Sequence, residues 1–69
     1  MSKPYRYHVF LNGQSWAIRR GFSSRVVEYA DSRERAIERG GELSRRHRVP
    51  LYIHAEDGTV HSVEDYSNG

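Results

Sequence analysis

The stretch from Ser32 to Arg48 constrains this chain more than any other. Ala36, Ile37, Gly40, Leu43, Ser44 and His47 fall at offsets 0, 1, 4, 7, 8 and 11, which share one side at 3.6 residues per turn. Arg35, Glu38, Arg39, Glu42, Arg45 and Arg46 take the opposite side. A charged helix with one narrow apolar stripe cannot bury that stripe alone. The flanking sequence must supply the surface, and it reads as strands.

Tyr5 to Leu11 alternates and is rich in aromatic and β-branched residues, as a half-buried strand requires. Tyr7, Val9 and Leu11 share one face, and Arg6, His8 and Phe10 the other. Asn12-Gly13 then marks a hairpin, because both residues tolerate positive φ. Ser15 to Arg20 is the return strand, with Trp16 and Ile18 on one face and Ala17 and Arg19 on the other. Arg25 to Ala30 is a third strand, in which Val27 and Tyr29 are expected to face the core and Glu28 the other side. The helix follows, capped by Asp31 or by Ser32. Gly40-Gly41 in its middle predicts close packing of the helix backbone on a bulky sheet residue such as Trp16, or else a kink. Val49-Pro50 ends it. Leu51 to Ala55 and Thr59 to Val63 form a last hairpin around Asp57-Gly58.

The sum is an α+β fold: a two-layer sandwich, an antiparallel sheet (β-β-β-α-β-β) with one helix packed on one face. The expected core is Val9, Leu11, Trp16, Ile18, Val27, Tyr29, Ala36, Ile37, Leu43, Leu51 and Ile53. Residues 1–69 make a single domain, with 1–4 and 67–69 expected to fray. At this length only about 60% of the unfolded surface is buried, so the core is thin and a homodimer would help it. The chain has no cysteine, hence no disulfide or thiolate metal site. It has no apolar run near the roughly 20 residues of a membrane span and no signal-peptide core. A soluble, cytoplasmic protein is expected.

Several residues in this pattern resemble a family of small prokaryotic proteins, the one catalogued as domain of unknown function 2188. They are Tyr7-His8-Val9 in the first strand, Trp16-Ala17-Ile18 in the second, and Arg25 before the third. Ser32 with Ala36-Ile37 at the helix start, and His54 with Asp57-Gly58 in the last hairpin, complete the set. The resemblance runs over residues 7 to 66 through scattered single positions. It implies the fold and no chemistry. The family prefers Glu where this chain has Arg35 and alanine-like residues where it has Gly40-Gly41.

The function must be read from charge and placement. Met1 to Arg48 carries eleven Lys and Arg against five acids, a net of +6, whereas Val49 to Gly69 carries four acids and no Lys or Arg. Ten of the eleven basic residues are Arg, the better residue for bidentate phosphate contacts. His8, His47, His54 and His61 come from separate elements without metal-ligand spacing, so no metal is expected. His47 reads as a packing residue near the helix C-terminus. No serine sits in a nucleophile elbow and no glycine run cradles a phosphate, so no catalytic set and no cofactor are expected, and no enzyme.

One helix covers few strands, and the uncovered face of the sheet is the candidate surface. Arg6, His8, Phe10, Arg19, Tyr52 and His54 are expected on it, with Arg20 and Arg25 bordering the second turn. Bases for phosphates interleaved with rings for stacking point to nucleic acid, although Glu28 is expected on the same face. The alternative is a protein-interaction or dimerisation module using Phe10, Val26 and Tyr52, as in a phage- or mobile-element-type regulator of a host protein.

Overall fold

A computed structural model describes residues 5–21, 23 and 25–67. The strands β1 (Tyr7–Asn12), β2 (Ser15–Arg20) and β3 (Val26–Ala30) precede the helix α1 (Arg33–His47). The strands β4 (Leu51–His54) and β5 (Val60–Glu64) follow it. The fraying expected at 1–4 and 67–69 lies outside the described residues except at Ser67.

The sheet has five strands in the order β3-β2-β1-β4-β5. It is mixed, which corrects the expectation of an antiparallel sheet: β4 runs parallel to β1, with Tyr7 opposite Leu51 and Val9 opposite Ile53. The helix is the cause. A chain that leaves β3 through a helix returns to the end from which it started, and its next strand then runs parallel. The free edge of β1 receives that strand.

Ser32 is the N-cap, its side chain accepting a hydrogen bond from the Arg35 N–H at 3.1 Å, and Glu34 sits in the first turn where the helix dipole favours an acid. At the far end Arg48 adopts φ 56°, ψ 51°. Its N–H reaches Arg45 O, and the Val49 N–H donates to Ser44 O at 3.0 Å. These two bonds form a Schellman stop. Val49 is thereby turned into the core at 0% exposure.

The helix runs unbroken through Gly40-Gly41, so the close-packing reading holds over the kink. The partners differ from the expected Trp16. A Cβ on Gly40 would sit 2.9 Å from Val9 Cγ2 and 3.0 Å from Leu51 Cδ1. Missing the Cβ, the helix seats directly on the central strand β1 and its neighbour β4. The buried cluster is Tyr7, Val9, Ile18, Ala36, Val49, Leu51 and Ile53, with Tyr5, Trp16, Ala30, Ile37, Leu43 and Tyr66 packed against it.

Three expected core residues are placed differently. Leu11 is only half-buried and outside the cluster. Val27 and Tyr29 are 49% and 59% exposed. A register shift opposite Ile18 and Arg19 accompanies this: Ile18 pairs with Glu28, Arg19 with Val26, and Val27 is left over as a bulge. Glu28 and Ala30 therefore face the helix. Glu28 can take an inner position because the Arg39 guanidinium meets it there at 2.9 and 3.0 Å. Arg39 also holds Glu42 at 3.2 Å.

Candidate functional site

Helix α1 packs on β1, β2, β3 and β4 from one side only. No described element lies over the other side. Cross-strand register orders that bare face into two rows. Tyr29, Ala17 and Phe10 form one row, with the pair His54 and Val60 beyond it, and the next row is Val26, Arg19, His8, Tyr52 and Val63. No carboxylate stands in either row. Glu28 is turned to the helix, and Glu64 pairs with Leu51 on the helix side. The Glu28 objection to an anion-binding face is thereby removed.

His8 sits at the centre of this face and is 7% exposed. Its Nδ1 lies 2.8 Å from His54 Nε2, and His54 Nδ1 lies 2.9 Å from Gly58 O. A carbonyl only accepts, so His54 carries its hydrogen on Nδ1. In that tautomer His54 Nε2 accepts and His8 donates from Nδ1, which leaves a lone pair on His8 Nε2. The β4–β5 turn aims the Gly58 carbonyl. Asp57 Oδ1 accepts from the Thr59 N–H at 3.0 Å and from its hydroxyl at 2.7 Å, and Gly58 takes φ +93°. Only glycine adopts that φ cheaply. Burial, then the charges of Arg19, His54 and Arg6, push the His8 pKa down to about 4. At neutral pH it is an uncharged imidazole with the Arg19 and Arg6 guanidinium groups near enough to act on it.

Those groups lie on rings. The Arg6 guanidinium stands 4.7 Å over Tyr52 and that of Arg19 5.7 Å over Phe10. The same pairing recurs away from the bare face, with Arg20 over Tyr5, Arg33 over Trp16 and Arg45 over Tyr66. The arginine-rich composition therefore has a structural use: in these five pairs the guanidinium itself lies over an aromatic ring.

Of the eight residues expected at the site, Arg6, His8, Phe10, Arg19, Tyr52 and His54 come together on the bare face. Arg20 does not: it pairs with Tyr7, on the helix side. Arg25 is exposed just before β3, its N–H donating to Ser23 Oγ at 3.1 Å. Sequence reasoning misses Tyr29, Val60 and Val63, exposed at 59%, 50% and 47%. Of these only Tyr29 is an expected core residue, and its pairing with Ala17 turns it to the bare face. A groove between β3 and α1, lined by Glu28, Asp31, Arg35, Glu38, Arg39 and Glu42, is polar. Both of its guanidiniums already bond carboxylates, Arg35 to Glu38 and Arg39 to Glu28 and Glu42. Among the described residues no group of three or more His, Cys, Asp or Glu gathers to hold a metal ion. No described helix is long and apolar enough to cross a membrane.

The fold and this face define a small two-layer α+β domain with one clad and one bare sheet surface. The chain belongs to the family described as uncharacterized protein conserved in bacteria (DUF2188), whose model matches residues 7–66. It is 32% identical over 53 residues to the uncharacterized protein YdaT of Bacillus subtilis (strain 168), an alignment covering 77% of this chain. The chain spans only 35% of that relative's length. No solved structure matches it.

Proposed function

We propose that the bare sheet face is a non-enzymatic binding surface for nucleic acid. The observation that carries this reading is the segregation of charge. Arg6 and Arg19 share the face with Phe10, Tyr52 and Tyr29, while every strand carboxylate points the other way. Arg19 donates one N–H to Ser23 O at 3.4 Å, and a guanidinium carries five N–H donors, so the same group can also meet a phosphate. Each phosphate neutralised releases counterions, giving a log–log salt slope of about −0.9 on duplex DNA and about −0.7 on single strands. A mobility-shift titration at two salt concentrations tests this. Binding at low salt that weakens by at least about fivefold when salt is raised fourfold is expected. Affinity that ignores salt, or none at low salt, overturns the reading.

A second reading, association with another protein or a second copy through the same face, draws on the exposed Val60, Val63 and Tyr29. Both edge strands carry register shifts, at Val27 in β3 and around His61 in β5. Such bulges discourage edge-to-edge pairing, which favours the face over the edges. Light scattering tests it: a dimer built this way should fall to monomer in Phe10→Glu, and a wild-type monomer at high concentration removes self-association.

A further inference from the structure

Tyr29 counts among the rings of the bare face, but the segregation of charge makes no use of how that ring is held. Tyr29 pairs with Ala17 across the β3–β2 ladder. Its hydroxyl accepts a hydrogen bond from the Asn12 side-chain amide, Nδ2 to Oη, at 3.2 Å. Asn12 is on β1, two strands away, so the phenol must lie down across β2 to reach it. The floor beneath is Ala17, a single methyl group with 0% exposure, while Tyr29 itself remains 59% exposed. A large ring is thus drawn over Ala17, tethered at its far end, with more than half of its surface open.

We propose that Tyr29 is a base-stacking platform and that the nucleic acid this face takes is single-stranded. The inference rests on the nucleic-acid reading above and narrows it. An exposed ring held over a lone methyl group can offer a face for stacking, and only an unpaired, splayed base has a matching face to give. In a duplex those base faces are hidden in the stack. The tether also settles much of the ordering cost before binding, since the ring need not be immobilised by the ligand. Arg19 stands two residues along β2 from Ala17 on the same face, about 7 Å away. A phosphate on Arg19 and its base on Tyr29 then use adjoining parts of one surface. The Asn12 Oδ1 and the phenol hydrogen are left to meet a base edge.

Fluorescence anisotropy with a labelled mixed-sequence 12-nucleotide DNA, single-stranded and as the matching duplex, tests this. Wild type should bind the single strand at least about tenfold more tightly than the duplex. Tyr29→Leu keeps Ala17 covered but has no π-face, and should weaken single-strand binding roughly 5- to 150-fold, the equivalent of ~1–3 kcal/mol per stacked base. Tyr29→Phe should stay near wild type, and neither variant should change duplex binding. The exposure of Tyr29 makes both variants folded proteins, which a thermal melt verifies. Equal affinity for the two probes, or a Tyr29→Leu protein that binds the single strand like wild type, overturns the platform and leaves the charge-based reading standing. Failure of both probes to bind at low salt overturns both together.

Discussion

Acidification from pH 7 to about pH 4 is expected to cost this fold about 2–3 kcal/mol through His8 alone. The folded imidazole has a pKa of about 4 against an ordinary 6.5, and every tenfold drop in proton affinity is worth about 1.4 kcal/mol. Water over the open side of the sheet screens part of that sum. Above about pH 6.5 His8 is neutral in both states and its contribution is complete. Between the two values the unfolded chain binds a proton that the folded chain refuses, so stability falls as pH falls. Below about 4 both states are protonated and the loss stops growing. The cause is burial of the ring, reinforced by positive charge crowded around it, with Arg19, His54 and Arg6 as the neighbours. Asp57 and Asp65, held below the ordinary carboxylate range by Thr59 and Ser67, lose their contributions only lower on the scale. Urea unfolding at a series of pH values checks this. His8→Gln, which cannot titrate, should flatten the curve between about pH 6.5 and 4, and an unchanged slope in that variant would remove His8 as its source.

The second large effect is a change of sign between neighbours in the helix. Gly40→Ala is expected to destabilise by about 1–2 kcal/mol, and Gly41→Ala to stabilise by about 0.5–1 kcal/mol. Both substitutions gain helix propensity. At Gly40 the new methyl meets Val9 and Leu51 at 2.9 and 3.0 Å. Those side chains are 0% exposed, and Val9 is stiff about χ1, so overpacking outweighs the propensity gain. At Gly41 the nearest atoms, in Arg45 and Tyr66, are an ordinary 3.6 Å away. In a domain this small each kcal/mol moves the Tm by roughly 4–8 °C. The two melts should therefore lie on opposite sides of wild type. Equal shifts would mean that the helix does not seat on β1 and β4 through Gly40.

The bare face was partly legible in advance. Alternation along β1, β2 and β4 put Arg6, His8, Phe10, Arg19, Tyr52 and His54 together, because a two-residue period fixes which side chains share a side. The same rule misled at β3, where Val27 and Tyr29 looked like core. A bulge is one extra residue, and nothing local in Arg25 to Ala30 announces it. Glu28 faces the helix because Arg39, eleven residues on, is there to meet it. The 2.8 Å contact between His8 and His54 belongs to strands brought side by side only when β4 pairs with β1.

Periodicity, turn chemistry and capping by themselves determined the six elements, the amphipathic side of the helix and most of the side-chain sharing within strands. These are local properties, set by backbone geometry over a few residues. The tertiary structure alone decided that β4 joins β1 in parallel, that β3 slips by one residue, and that Tyr29 lies outward across Ala17. Each of these depends on which distant groups compete for the same neighbour, and that competition has no signature within a short stretch of chain.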